Sequence, residues 1–285
     1  MSLTITPFAA PLGAEITGID LRKPLDKETV DRLYAAWLDH IVLVFRDQEL
    51  SKDEQVDFAG QFGTIGDRAT PKELQNDFDA DYDGKIMLVT NIRDDSGKPI
   101  GTLPDGEMWF HHDQSYMPVP CKATMLHAIE LPSIGGNTKF ANMYLAYDNV
   151  PDDLKTLLRG RKVLQAYNRS TVERVDPEDG LEGIAHQWQP IFVRHPEADR
   201  TALYVSHLIS SQIEGMDRAE SEATLERLIA IAEDPALVYE HVWRDGDLVM
   251  WDNRCSTHAR TDFPPEETRL LRRCTLEGTP AVAAA

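Results

Sequence analysis

The sequence has little cysteine and no long apolar run. Its three cysteines, Cys121, Cys255 and Cys274, are odd in number and form no CxxC pair, so they favour neither a disulfide framework nor a thiolate zinc site. No apolar run approaches the roughly 18 residues that cross a bilayer. The first residues also lack the basic start and apolar stretch of a secretory signal. We therefore expect a cytoplasmic protein without a membrane-spanning segment.

Positive charge is also scarce. The chain has 29 Lys and Arg residues against 48 Asp and Glu residues, which gives a formal net charge of -19 at pH 7. Nucleic-acid binding depends on neutralising phosphates with Lys and Arg, and an anionic membrane attracts basic segments. The charge balance thus favours neither partner and leaves a small molecule as the expected ligand. A homo-oligomer is the expected assembly.

What the sequence does contain is many short apolar runs separated by turn residues. Hydrophobic residues make up 42% of the chain, which is near the globular norm. Helical spacing predicts helices over residues 26–38, 51–62, 142–158 and 217–232. The many short strands predict one domain over residues 1–285, mainly β with flanking helices, folded as a double-stranded β-helix or cupin-like jelly roll. A disordered tail is expected at about 280–285.

Two motifs bring together residues that could bind a metal. The first is Trp-Phe-His-His-Asp-Gln-Ser-Tyr at 109–116, and the second ends in His258. Side chains alternate along a strand, so His111 and Asp113 share a face while His112 points away. If His258 folds onto them, two histidines and one carboxylate face one side of a metal, as in non-haem Fe(II) oxygenases.

Other proteins use the same ligand types, so the tripeptide His-x-Asp alone decides little. A zinc-dependent hydrolase also binds its metal with His and carboxylate ligands. A jelly-roll binding protein without turnover is a third interpretation, although it would require a broken triad. Formation of succinate that depends on Fe(II) would separate the three.

Two arginines follow His258 at a spacing that indicates an anionic ligand. Arg269 comes eleven residues after His258, and Arg273 comes four residues later. On a strand these two side chains share a face, and Arg272 points the other way. The planar guanidinium matches two carboxylate oxygens and stays charged at any working pH. We expect Arg272 to be a surface residue that pairs with acidic side chains.

In this order and spacing, the motifs resemble the taurine dioxygenase and 2,4-dichlorophenoxyacetate dioxygenase family of Fe(II)- and 2-oxoglutarate-dependent oxygenases. The likeness covers nearly the whole chain and includes the segments 12–21, 40–48, 58–63, 135–138, 143–144 and 246–254. It implies a jelly roll whose mouth holds the metal. The chain departs from the family at Phe110, because relatives usually carry Trp immediately before the first ligand.

Carried over residue by residue, the resemblance implies that His111, Asp113 and His258 bind Fe(II), with 2-oxoglutarate and O2 as cosubstrates. In the family's reaction, oxidative decarboxylation of 2-oxoglutarate yields succinate and CO2 and is coupled to hydroxylation of the prime substrate. Where the new hydroxyl stands beside a sulfonate, ether or sulfate, the product falls apart. We therefore expect hydroxylation, with cleavage when the product has such a group.

The resemblance also assigns the two arginines. It implies that Arg269 holds the distal carboxylate of 2-oxoglutarate, with the Thr138 hydroxyl as a second contact, and that Arg273 lies nearer the prime substrate or the same carboxylate. A diacid anchored in this way would leave Arg273 without a partner. Because a buried unpaired charge is costly, we expect Arg273 to recognise a second anion, the prime substrate.

The rest of the substrate pocket is expected in the loop-rich stretch 63–107 and beside the first motif. Asn91, Arg68 and Tyr116 are the predicted substrate-binding residues there. In taurine-specific members, the positions of Arg68 and Glu107 carry a His and an Asn that contact the substrate, so taurine itself is not expected. The predicted substrate is a small anion, such as a carboxylate, an aryloxyalkanoate or a sulfonate-like compound.

Overall fold

The computed structural model describes residues 3–66, 84–103 and 105–285. In this part of the chain the structure is mainly β, as the sequence predicts, and contains five α-helices. The largest sheet has seven strands. In order across the sheet they are β1 (Thr4–Pro7), β2 (Ala14–Thr17), β3 (Val42–Phe45), β14 (Leu248–Asp252), β6 (Ala123–Glu130), β16 (Leu270–Leu276) and β4 (Met87–Thr90).

Smaller sheets and the helices complete the described structure. A four-stranded sheet has the order β13 (Val238–His241), β7 (Thr138–Asn142), β15 (Ser256–Arg260) and β5 (Met108–His111). A three-stranded sheet has the order β12 (Ser210–Ile213), β8 (Lys162–Tyr167) and β9 (Ala185–Pro190), and β10 (Phe192–Arg194) pairs with β11 (Thr201–Leu203). The helices are α1 (Lys27–His40), α2 (Lys52–Gly60), α3 (Met143–Asn149), α4 (Asp152–Leu158) and α5 (Arg218–Ala232).

The seven-stranded sheet is the middle layer of the core. Leu126 and Val249 lie in one apolar cluster with Phe140 of the four-stranded sheet. Their neighbours along the strands, Met125 and Met250, lie in a second cluster with residues of α1 and α2. This alternation follows the two-residue period of a strand. The four-stranded sheet therefore packs on one face of the large sheet, and the first two helices pack on the other.

The helix ends follow the capping signals of the sequence. Asp26 accepts a hydrogen bond from the third residue of α1, and Ser51 and Glu54 form a capping box at the start of α2. The single helix predicted over 142–158 is two helices, because the residue before Pro151 is disfavoured in the helical conformation. Among the helices of the described ranges, none is long and apolar enough to cross a bilayer.

The carboxyl-terminal tail differs from the sequence prediction. Residues 280–285 were expected to be disordered, yet the Ala284 N–H donates to the Phe192 carbonyl and the Arg194 N–H donates to the Val282 carbonyl, both at 2.9 Å. Ala283 also forms a bridge with Val193. The tail thus covers the free edge of β10, where unpaired backbone groups offer partners to any extended segment. Local composition does not reveal such a partner.

Candidate active site

Three predicted ligand side chains meet at the end of β5. His111 is the last residue of that strand, and His258 lies directly opposite it on β15. The His111 Nε2 atom is 3.8 Å from Asp113 Oδ1, and the His258 Nε2 atom is 3.8 Å from Asp113 Oδ2. One ligand atom from each residue lies within 4.8 Å of the others, and all three residues are buried.

The two histidines are in the form that binds a metal. The Nδ1 atom of His111 lies 2.9 Å from the Trp109 carbonyl, which can only accept, so Nδ1 carries the proton and Nε2 keeps its lone pair. Burial lowers the pKa of His111 and lowers that of His258 further. Both rings are therefore neutral near pH 7, as metal coordination requires.

A chain of hydrogen bonds fixes the carboxylate. The Thr124 hydroxyl donates to Asp113 Oδ2 at 2.6 Å, and Thr124 accepts from the Asn253 amide at 2.9 Å. Asn253 in turn accepts from the Trp251 indole at 2.9 Å. Burial alone would raise the pKa of Asp113, but Arg273 and the neighbouring polar groups lower it below its ordinary value. The carboxylate is therefore ionised, and its orientation is set from β6 and β14.

These residues fit a divalent metal. Two neutral imidazoles and one carboxylate converge, and their ligand atoms lie within 4.8 Å of one another. A second cluster, His195, Asp252 and Cys255, is equally close-packed. There, His195 Nδ1 accepts two backbone N–H groups and Nε2 donates to Asp252 at 3.0 Å, so the ring has no lone pair left for a metal. The first cluster is the better metal site.

Arg273 is paired, contrary to the sequence prediction. Its Nη2 atom donates to Asp113 Oδ1 at 2.7 Å, so the guanidinium is not left without a counter-charge. The strand pattern predicts the face on which Arg273 lies but not that Asp113, distant in sequence, lies next to it. The Nε atom is buried without a hydrogen-bond partner in the described structure. Arg273 thus retains a donor in addition to its bond to the metal-ligand carboxylate.

Arg269 is a buried cation that faces a carbonyl. It is 2% exposed, and its Nε and Nη2 atoms donate to the Gly136 carbonyl at 3.2 and 3.0 Å. Burial, and then the charge of Arg260, lower the pKa of Arg269 to about 9. No carboxylate among the described residues forms an ion pair with it. Thr138 lies two residues from Gly136, and its hydroxyl accepts from the Trp243 indole at 3.1 Å.

A cavity of about 1000 Å³ lies beside the triad. His111, Asp113 and Arg273 belong to its lining, and so do Tyr116 and Tyr167, whose rings stack at 5.1 Å. The apolar lining residues include Leu103, Met108, Ile184 and Ile209, and the cationic ones are Lys85, Arg169 and Arg273. Asp113 is the one carboxylate in the described lining. Arg269 and Thr138 do not line this cavity.

Tyr167 and Arg169 were missed from the sequence. They lie at the end of β8 and in the loop after it, and the sequence analysis predicted neither this strand nor the three-stranded sheet to which it belongs. The only local signal was the mainly apolar stretch Val-Leu-Gln-Ala at 163–166, which resembles many others in the chain. The pairing of β8 with distant β9 and β12 is what brings the two side chains to the cavity.

Of the residues predicted to bind the substrate, the structure places some in the cavity and others outside it. Tyr116 lines the cavity, whereas Asn91 does not. The Asn91 amide donates to the Pro265 and Glu267 carbonyls at 3.2 and 2.8 Å, and its oxygen accepts from the Arg269 N–H at 2.9 Å. All its polar groups thus hold the backbone that precedes β16. Arg68 lies outside the described residues.

The two side chains predicted to point away from the metal do so. The His112 ring packs on the Tyr204 ring at 4.2 Å, and burial lowers the pKa of His112 to about 3. Arg272 donates to the Leu50 carbonyl and, at 2.9 Å, to His127 Nδ1. Arg272 is half-buried rather than a surface residue, because α2 covers that face of β16.

Comparison with known proteins identifies the family. Residues 4–275 match the model of the taurine catabolism dioxygenase TauD, TfdA family. Pentalenolactone F synthase of Streptomyces avermitilis is 35% identical and covers 96% of this chain and 93% of its own. The (S)-phenoxypropionate/alpha-ketoglutarate-dioxygenase of Sphingobium herbicidovorans is 33% identical, and the match covers 97% of this chain and 96% of the relative.

A solved structure supports the same assignment. The crystal structure of AAD-2 in complex with Mn(II) and N-oxalylglycine has a TM-score of 0.81 and 30% identity to this chain, and the match covers 100% of both chains. Its fold is therefore shared from end to end. The chain belongs to the TauD/TfdA family of 2-oxoglutarate-dependent dioxygenases, which use Fe(II), 2-oxoglutarate and O2.

Proposed function

We propose that this dioxygenase hydroxylates a small organic anion beside an Fe(II) held by His111, Asp113 and His258. One observation carries the proposal. Two of the three proposed metal ligands, His111 and Asp113, line a cavity whose described lining has three cationic side chains and a single carboxylate. That carboxylate already accepts from Arg273 and Thr124. In a chain of net charge -19, such a lining selects for anions.

The donor set suits Fe(II) and leaves room for the cosubstrates. Two histidines and one carboxylate bind from one side, which is the ligand pattern of non-haem Fe(II) oxygenases with open positions. The metal, when bound with 2-oxoglutarate and O2, supplies the oxidant for hydroxylation, with succinate and CO2 as coproducts. His111 and His258 contribute lone pairs, and the Thr124 hydroxyl holds the carboxylate of Asp113 in place.

Arg269 and Thr138 are the proposed binding residues for the distal carboxylate of 2-oxoglutarate. A buried guanidinium without a carboxylate partner is costly, so an anionic ligand is the natural complement of Arg269. Thr138 already accepts from Trp243, and its own hydroxyl proton is therefore available to donate. Asn91 supports this arrangement, because it fixes the backbone from which Arg269 projects.

Charge balance supports an anionic prime substrate even though Arg273 is paired. The divalent metal, Arg269 and Arg273 together carry four positive charges, whereas Asp113 and 2-oxoglutarate carry three negative charges. The charge of Arg260 is already offset by nearby Asp105 and Asp262. A net positive charge therefore remains, to which Lys85 and Arg169 of the cavity lining add, and the free Nε–H of Arg273 is a donor for an anion.

The rest of the cavity favours a substrate with an apolar body. Its volume is at the upper end of the roughly 300 to 1,000 Å³ typical of sites for drug-sized ligands. The stacked rings of Tyr116 and Tyr167, with Met108 and Ile209 nearby, form an apolar wall. Two relatives are named for (S)-phenoxypropionate and pentalenolactone F, and we extend only the general class, an anion joined to an apolar group, to this enzyme. Cleavage of the product is proposed where the new hydroxyl stands beside an ether oxygen.

Three further expectations belong to the same proposal. The packing of the four-stranded sheet on the seven-stranded sheet agrees with a double-stranded β-helix, which we propose as the architecture. We propose a cytoplasmic location because all three cysteines are unpaired, as in reducing compartments. We also keep the expectation of a homo-oligomer.

A panel of substrates read by succinate release tests the proposal. The enzyme is loaded with Fe(II) and 2-oxoglutarate and offered phenoxyacetate, an alkylsulfonate, a sulfate ester and the amide of phenoxyacetic acid. We expect O2-dependent succinate release that at least one anion stimulates and the neutral amide does not. Loading with Zn(II) is the control, because a zinc hydrolase would act without O2 and without forming succinate. Equal stimulation by the anions and the amide would contradict the anionic substrate class.

A further inference from the structure

Arg260 has an unusual set of partners for a buried cation. It is 8% exposed, and its three guanidinium nitrogens donate to three backbone carbonyls. Nε donates to Gly106 at 2.9 Å, Nη1 to Leu103 at 2.7 Å and Nη2 to Asp105 at 2.8 Å. In the described structure it forms no salt bridge within 4.0 Å. The side chain therefore binds the backbone carbonyls of Leu103, Asp105 and Gly106 rather than an acid.

The three carbonyls that Arg260 binds shortly precede β5, the strand that carries the proposed metal ligand His111. Strand β5 begins at Met108, two residues after the last carbonyl that Arg260 binds, and ends at His111. Arg260 itself is two residues beyond His258 on β15. The guanidinium of Arg260 thus connects the strand of His258 with the backbone that precedes the strand of His111.

The backbone pairing of β5 with β15 is irregular near Arg260. His258 pairs with His111, but Arg260 pairs with Met108, so the register shifts by one residue between them. A bulge interrupts the ladder hydrogen bonds and bends the strand. The side chain of Arg260 supplies fixed bonds at the point where the regular pairing of β5 and β15 breaks down.

One of the residues that Arg260 binds, Leu103, has a strained backbone and lines the cavity. Leu103 has a φ of 54°, which is uncommon for a residue with a branched side chain and needs support from its surroundings. Thr102, Leu103 and Met108 line the cavity. Without the guanidinium, the three carbonyls that converge on it would lose the donor between them.

We propose that Arg260 is a positioning residue, which sets the separation of His111 and His258 and holds the adjoining wall of the cavity in place. The inference rests on the proposed metal site, because the two histidines must be ligands for their separation to matter. Polar groups that orient metal ligands typically contribute about ten- to a hundredfold to metal affinity. Arg260 acts on both ligand strands through the backbone rather than by touching a ligand.

The test compares Arg260→Lys with Arg161→Lys. Lysine keeps the charge but cannot reach three carbonyls from one nitrogen. Arg161 also donates to two backbone carbonyls, of Leu157 and Glu214, and does not line the cavity. The affinity for Mn(II) is measured by electron paramagnetic resonance, together with the midpoint of thermal unfolding. We expect Arg260→Lys to weaken Mn(II) binding about tenfold, and Arg161→Lys to leave it unchanged.

Two outcomes would overturn the inference. One is a lower unfolding midpoint for Arg260→Lys with wild-type Mn(II) affinity, which would make the residue merely structural. The other is a loss of affinity in Arg260→Met that Arg260→Lys restores fully, which would make charge the cause. Asp113→Ala separates this inference from the proposed function. If it binds Mn(II) as tightly as the wild type, the metal site is wrong; if it does not bind, only the role of Arg260 is at stake.

Discussion

Replacing Gly136 with Ala should weaken 2-oxoglutarate binding, although Gly136 is not itself one of the proposed metal-binding or cosubstrate-binding residues. Gly136 has a φ of +63°, and an added Cβ would lie 2.9 Å from the Nε atom of Arg269 and 3.0 Å from its Cδ atom. Pro132 closes the other side, with its Cγ atom 3.2 Å from the added carbon. Contacts under 3.0 Å are not tolerated by packed side chains, so the buried guanidinium must move.

The expected effect has two parts. A left-handed backbone costs a residue with a Cβ roughly 1 to 2 kcal/mol, which lowers stability. Displacing Arg269 removes a charge-assisted bond to the carboxylate, worth roughly 1.5 to 3 kcal/mol. At 1.4 kcal/mol per factor of ten, the dissociation constant of 2-oxoglutarate should rise about ten- to a hundredfold.

Gly160→Ala is the matched control. Gly160 has a φ of +74°, but nothing lies within 4 Å of its added Cβ, so the variant introduces backbone strain alone. Calorimetric titration of 2-oxoglutarate into Mn(II)-loaded protein without O2 measures the affinity. Both variants should lose stability, Gly136→Ala more because of its added contacts, and only Gly136→Ala should lose affinity. If the two bind 2-oxoglutarate equally well, Arg269 does not hold the cosubstrate.

Three further predictions concern the metal, the substrate and pH. His111→Ala should abolish Mn(II) binding and turnover, whereas His112→Ala should lower stability but keep the metal, because its ring packs on Tyr204; metal titration and thermal unfolding check both, and the reverse result would mean that the register is wrong. Arg273→Gln should weaken binding of the best anion from the panel by about tenfold or more while sparing its amide, and an equal loss for both would contradict the role of Arg273. Burial lowers the pKa of His241 below the value of about 6.5 expected in the unfolded chain, so the unfolded state takes up the proton first and stability should fall as the pH drops below about 6.5. Urea midpoints at pH 7.5 and 5.5 measure this loss, which His241→Gln should reduce; a midpoint that does not change with pH would contradict it.

The metal ligands could be predicted because their geometry is mostly local. The two-residue period of a strand puts His111 and Asp113 on one side and His112 on the other, and the structure keeps that division. The capping box at Ser51 and Glu54 is local in the same sense. Patterns within a few residues thus predicted the faces of His111 and His112 and the start of α2 correctly.

The environment of the site depends on pairings across the chain that no local pattern contains. Thr124 orients Asp113 because β6 lies beside β14, which brings Asn253 near it. Asn91 has a loop composition that suggested a substrate contact, yet strand β4 pairs with β16 and directs its amide to backbone groups near Arg269. The expectation that Arg273 is unpaired was wrong for the same reason, because its partner Asp113 lies beyond the end of β5 and far from Arg273 in sequence.

The most direct test is a crystal structure of this protein with Mn(II) and N-oxalylglycine, the pair present in the AAD-2 complex. We expect Mn(II) bound by His111, Asp113 and His258, and the distal carboxylate of N-oxalylglycine on the guanidinium of Arg269. An anomalous signal from Mn(II) at the cluster of His195, or a distal carboxylate that does not contact Arg269, would contradict the proposed site.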